Sequence, residues 1–450
     1  MNGGRVPGWV WVVLVAAHAL AWGWALRSGR WDFPDSGRYL QAAQNLRAHG
    51  ALYARSWPVI PPQGQAVQEF TIRTLGYPLV ALALGADRGQ LAVLLVLQNL
   101  LSLVNIGVVL RWWARRGNHS HFTWALAVLG ILAFPAQLIY ANAVMSEVLL
   151  QTAVMALMAA SLLFIAKTHT RYLAWASGAM IVGALLKPVF APMTVVMAGV
   201  GLVLAFQRKK LRLAFIGLVP LGVVLVYMGW NQQRTGYFHY SSIADINLLH
   251  YNAAGLIRQQ KGAAAEEAWV ADVLREANAQ PGFAARQRVI QRRAGRMLSD
   301  YPLVYARQHA QGMAAFFLDP GRFDVSQFWG LAPPLGGGLQ ARVRTGGLLR
   351  AVGRMPLGLL ALLGAVLLAN SARLLLAVWG FWQLRNGRPE LRYGRWVAAG
   401  LILYVALLTG PLGATRFLVP VWPLLLGLAL VGLENNEDLA SEQAPVVREN

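Results

Sequence analysis

Residues 8–50 read GWVWVVLVAAHALAWGWALRSGRWDFPDSGRYLQAAQNLRAHG. The first part, 8–26, is apolar apart from His18 and is long enough to cross a hydrocarbon core of about 30 Å as a helix. Asp35 follows where such a helix leaves the membrane. A carboxylate is a poor anchor at that position and a suitable proton acceptor. Arg5 before an apolar run also suits a secretory signal, but no small-x-small cleavage site follows, and the segment reads as a retained signal anchor.

Composition extends this reading to the whole chain. Of 450 residues, 56% are hydrophobic and only 13% charged, with 17 Trp and a mean hydropathy of +0.45. These values describe a polytopic membrane protein, for which domain counts based on soluble chains do not apply. There is no Cys, which excludes disulfides, thiolate metal sites and a cysteine nucleophile.

The net charge of +21 suggests nucleic acid until the charges are placed. Arg111, Arg115 and Arg116; Lys167 and Arg171; Arg208, Lys209, Lys210 and Arg212; and Arg385, Arg388, Arg392 and Arg395 each follow an apolar run in a short loop nearly free of acids. Short basic loops mark the cytoplasmic side, so no nucleic-acid partner is expected. Ten spans are predicted, at about 8–26, 90–110, 122–140, 146–166, 172–186, 189–206, 213–230, 356–383, 397–411 and 417–433. The expected fold is all-α and polytopic, with about ten transmembrane helices and a small, mainly helical outer-face cap.

Parity places 27–89, 141–146, the Lys187-Pro188 turn, 231–355 and the 412–416 turn on the outer face. The chain divides into an N-terminal transmembrane module (1–230, with the outer loop 27–89), an outer-face loop domain (231–355), C-terminal transmembrane helices (356–433) and a polar, disordered cytoplasmic tail (434–450). The start of the outer domain, TGYFHYSSIADINLLHYN, carries β-like patches. From Ala263 to Gln311 it reads helical, interrupted by Pro281-Gly282 and Pro302. No internal repeat is evident.

Three cations and two acids on the outer face are the candidates for a site, and most have a plainer reading. Pro34-Asp35-Ser36 looks like a helix start, which makes Asp35 an N-cap candidate as well as a base; Asp32 is a competing carboxylate. Glu147 opens an apolar helix after Ser146, where it either complements the helix dipole or forms part of a site. Lys187, beside Pro188, either snorkels or binds a phosphate at the outer leaflet. Arg416 starts the last span in the same way, and Arg73 is a further cation near a Pro. No GxSxG elbow, HExxH or Walker loop is present, and Gly336-Gly337-Gly338 reads as a flexible connection. His239, His250 and His309 lack metal-ligand spacing.

The ordered motifs Asp-x-x-Arg-Tyr after the first span, Arg-Thr-x-Gly-Tyr-Pro-Leu at 73–79, Ser-Glu at 146–147, Leu-Lys-Pro at 186–188 and Arg-Phe-x-x-Pro-x-x-Pro at 416–423 resemble those of the GT-C glycosyltransferases. The similarity is to bacterial enzymes like the protein O-mannosyltransferases and the aminoarabinose transferase of lipid A. It implies transfer of a sugar from a polyprenyl-phosphate carrier to a lipid, glycan or protein acceptor outside the cytoplasmic membrane. It implies Asp35 as the base, with Arg38, Tyr39, Arg73, Glu147, Lys187 and Arg416 as substrate-binding residues. Ser36 stands where many relatives have a second acid, and the family's metal-binding Glu has no counterpart beside Arg73. No cofactor is therefore expected and a divalent metal is not indicated.

The residue types suit the chemistry independently. A departing polyprenyl phosphate needs cations, and an attacking hydroxyl or amine needs one carboxylate. Two rivals use the same residues: a ligase acting on a diphosphate-linked glycan, and a flippase or transporter, which would carry its charges at mid-span.

Overall fold

The computed structural model describes residues 4–60, 62–331 and 356–434. Every apolar run identified above is helical, and no strand occurs among the described residues. Among the described residues, eight helices have the length and composition to cross a membrane. They include α1 (Gly8–Ser28), α4 (Leu91–Ala114), α7 (Glu147–Lys167), α10 (Leu211–Thr235) and the terminal span Thr415–Gly432. Leu20, Phe206, Leu211, Val226 and Leu368 stand far out on these helices, which water would penalise and lipid does not.

Two of the ten expected spans take a different form. The run at 122–140 is broken into α5 (His121–Leu132) and α6 (Pro135–Ala141), bent by 56°. Pro135 lacks the N–H that would continue the ladder. The run at 172–186 is α8 (Thr170–Leu186), a helix of 17 residues. It stops there because the residue before a proline is driven out of the helical region; Lys187 accordingly takes φ −151°, ψ 129°.

After α6 the chain does not resume a helix until Glu147. Irregular backbone at membrane depth needs protein partners for its polar groups, and amides from α4 provide them. Gln98 Nε2 donates to Ala143 O at 2.7 Å and to Ala141 O at 3.3 Å, while Asn99 Nδ2 donates to Asn142 Oδ1 at 2.7 Å. Gln137 and Gln151 bond reciprocally, and Gln151 Nε2 reaches Val419 O at 2.6 Å. The amides thus fix the break and join α7 to the terminal span, which is the most enclosed of the spans.

Residues 236–242 form neither helix nor strand, and the described segment beyond them is helical. The stretch expected to have β-like patches instead forms α11 (Ile243–Asn247) and a π-helical turn over Leu248–Ala253, because its apolar positions pack at helical spacing against α14 (Phe283–Asp300). Leu249, Val273, Ala277, Val289 and Ile290 make a small core separate from that of the bundle. Helices α12 (Ala254–Lys261), α13 (Ala263–Asn278), α15 (Pro302–Leu318) and α16 (Arg322–Trp329) complete the described cap. The Gly336–Gly338 run and residues 435–450 lie outside the described residues. Glu434, expected to begin a disordered tail, is instead buried and ion-paired with Arg116 at 2.8 Å.

Candidate active site

Asp35 precedes α2 (Ser36–His49) but does not cap it. The turn is closed by its neighbour: Ser36 Oγ accepts from Phe33 N at 2.9 Å and donates to Val144 O at 3.1 Å. The Asp35 carboxylate is left for other partners and takes two. Arg73 Nη2 donates to one oxygen, and Arg416 Nη2 donates to the other at 3.0 Å. Burial alone would raise the Asp35 pKa, but Arg73, Arg416 and Lys187 outweigh it and hold it at about 2.

Arg73 lies between a 3-10 turn (Gly64–Phe70) and α3 (Gly76–Ala83). Its guanidinium sits 5.1 Å from the centre of the Tyr39 ring, and the Tyr39 hydroxyl pairs with Ser146 Oγ at 3.2 Å. Gly76 sets the depth of this segment, since a Cβ there would lie 2.7 Å from Leu185 O. The glycine lets α3 approach the end of α8, and so brings Arg73 towards Lys187.

Glu147 is fully buried at the start of α7. Its Oε1 accepts from Lys187 Nζ at 2.6 Å and faces Arg416 Nε at 3.7 Å. Oε2 has no partner. Ser146 does not cap α7 with its side chain, which is engaged by Tyr39 instead. Glu147 thus lies beneath two cations and sets their positions. It does not line the cavity that they face.

That cavity has a volume of about 730 Å³, and Asp35, Arg38, Tyr39, Arg73, Lys187 and Arg416 are among the residues that line it. Three cations meet two carboxylates here, a surplus of one positive charge in a buried setting. Arg38 belongs to a neighbouring group, in which Glu69 holds Arg38 and Arg55, each at 3.3 Å. Six of the seven expected residues therefore line one space, and the seventh supports it. Asp32 is not among the lining residues, and its carbonyl accepts from Gln327 Nε2 at 3.1 Å.

Sequence reasoning missed Glu69, Asp319 and Asp324. Asp319 Oδ2 accepts from Thr415 N at 3.1 Å, so a cap residue secures the turn that presents Arg416. Asp324 lines the cavity and accepts from the Tyr140 hydroxyl at 2.8 Å. Burial, reinforced by Asp319 against the Tyr140 hydrogen bond, lifts its pKa to about 7. The only sequence signal is the pair of acids in Asp319-Pro-Gly-Arg-Phe-Asp324, within a segment otherwise without a recognisable pattern.

Searches with the sequence match no family model and no curated protein. Among solved structures, the chain is similar to two crystal structures of ArnT from Cupriavidus metallidurans. One is of the apo state, at 18% identity and TM-score 0.34, covering 95% of this chain and 76% of that one. The other is bound to undecaprenyl phosphate, at 17% identity and TM-score 0.37, covering 95% and 77%. Values this low leave the functional argument to the residues of this chain.

Proposed function

We propose that the protein is an inverting glycosyltransferase that moves a sugar from a polyprenyl-phosphate carrier to an acceptor on the outer face of the cytoplasmic membrane. The observation that carries this reading is the clamp on Asp35: one carboxylate held by Arg73 and Arg416, with Lys187 beside them, on one cavity.

The clamp supplies both halves of the chemistry. With a pKa of about 2, Asp35 is ionised but a very weak base. A donor phosphate brings competing negative charge, and the cations that turn towards it release Asp35 to a more ordinary basicity. The acceptor hydroxyl or amine then attacks the anomeric carbon and gives its proton to Asp35. The bond from that carbon to the phosphate oxygen breaks, and the electron pair leaves on the polyprenyl phosphate. Arg73, Lys187 and Arg416 stabilise that charge where it develops. A single displacement inverts the anomeric configuration.

The test is product analysis. Purified full-length chain in detergent, given a labelled short-chain polyprenyl-phosphate sugar and an envelope extract, should release polyprenyl phosphate and add one sugar mass to an extract component. Movement of the intact lipid-linked sugar across a vesicle, without cleavage of the sugar–phosphate bond, would make the protein a transporter instead.

A further inference from the structure

The cavity has a second polar end, built by the cap. Helix α14 turns one face inward, and its buried residues are Phe283, Arg286, Gln287, Val289, Ile290 and Ala294. An apolar side chain would serve packing better at 286 and 287, yet a guanidinium and an amide occupy them and line the cavity.

Neither is satisfied by the protein. Arg286 is 3% exposed, and its Nε donates to Asn278 Oδ1 at 2.9 Å. Its other four N–H groups have no acceptor among the described residues, nor does any carboxylate there come within ion-pair distance. Its neighbours on the same helix differ: Arg292 pairs with Glu276, and Arg293 with Asp272 and Glu276. Gln287 is 1% exposed, and its Oε1 has no hydrogen-bond partner. Asp245, the acid that acts on Arg286 from α11, accepts from Gln291 at 2.9 Å. Burial pushes the Asp245 carboxyl up, against the opposing pull of Gln291 and Arg286. With no carboxylate in ion-pair contact, the free N–H groups of Arg286 face the cavity, where an anionic group of a ligand can meet them.

We propose that this end of the cavity is an acceptor subsite, in which Arg286 binds a phosphoryl or carboxyl group of the acceptor and the Gln287 amide takes an adjacent hydroxyl or N–H. The acceptor is then an acidic glycan or glycolipid rather than a neutral one. This rests on the glycosyl-transfer reading above. The cation group around Asp35 engages the donor phosphate, and Arg286 engages the second substrate in the same cavity.

Binding of soluble probes to the full chain in detergent tests the subsite without requiring turnover. With undecaprenyl phosphate at saturation, glucose 6-phosphate or glucuronate should bind at least tenfold more tightly than glucose, the stronger of the two telling phosphoryl from carboxyl. Arg286→Gln should abolish that preference, and Arg286→Lys, which keeps the charge without the fork, should retain part of it. Gln287→Leu should weaken all three sugars several-fold, and it carries the test if Arg286→Gln lowers the thermal midpoint. Equal binding of acidic and neutral sugars by the parent protein, or an unchanged preference in Arg286→Gln, overturns the proposal. Failure of undecaprenyl phosphate to bind counts against the donor reading alone, and the same probes without it still decide the role of Arg286.

Discussion

Arg416 Nη2 lies 3.0 Å from Asp35 Oδ2, although 381 positions separate the two residues in sequence. The loop after the first span and the turn before the last one thus meet at one carboxylate, and Arg73 closes it from the other side. A carboxylate with two guanidinium partners is a store of basicity that a competing anion can release.

Asp35→Asn separates base from scaffold. Asp35 gives α2 no side-chain cap, so the substitution leaves that helix start intact while removing the proton acceptor. Turnover should fall by roughly 10²–10⁴-fold. Donor affinity should hold or improve, because Arg73 and Arg416 lose their resident anion. Asp32→Asn should cost far less. An active Asp35→Asn protein at matched expression would move the search for the base to Asp324 or Glu147.

Lys187→Ala and Arg416→Ala each remove a charge-assisted contact to phosphate, worth roughly 1.5–3 kcal/mol. Loss in kcat/KM should exceed tenfold. Kinetics near those of the parent in both variants would return the two residues to anchoring and packing.

Gly76→Ala forces a methyl against the Leu185 carbonyl. The segment must move out, carrying Arg73 with it. The expected result is a destabilisation of roughly 1–3 kcal/mol together with reduced turnover. An unshifted thermal midpoint would show that α3 and α8 have room to spare.

Asp324 makes stability depend on pH in a stated direction. Its carboxyl titrates at about 7 when folded and at 3.8 in the reference state, so the folded protein holds the proton more tightly. The stabilisation is full below 3.8 and is lost as pH rises through about 7. Asp324→Asn cannot ionise, so its thermal midpoint relative to the parent should rise between pH 5 and pH 8. A constant difference over that range would show that Asp324 is already ionised at pH 5.

Reporters fused after Arg116, Arg171, Arg212 and Arg395 should be cytoplasmic, and those near Ala54 and Gly282 should lie outside. Labelling of residue 282 from the cytoplasm would reverse the face assigned to the site.

Much of the site was legible because sidedness sorts charges: parity alone put Asp35, Glu147, Lys187 and Arg416 on one face. Their partners were not legible. Whether Asp35 caps a helix or meets an arginine depends on Ser36 closing the turn, and no local pattern says so. Pro135 lies inside the run read as one span at 122–140, and the break there was missed; the Gln98 and Asn99 amides that support it serve carbonyls about 43 positions away. At 235–252 aromatic and β-branched residues suggested strand, and packing against α14 outweighed that preference. Glu69, Asp324 and Arg286 sit in segments whose surroundings are set wholly by tertiary contacts.

The terminal span is the most enclosed in the bundle, yet it is synthesised after every other span described here. A ribosome delivering these helices in order must leave an opening for the one that ends in the middle. Arg416 arrives on that helix, so until it docks, Asp35 and Glu147 share two cations rather than three. Docking of the terminal span and assembly of the charged cluster are therefore the same event, and a nascent chain halted before Arg416 holds an incomplete cluster even when its other helices are in the bilayer.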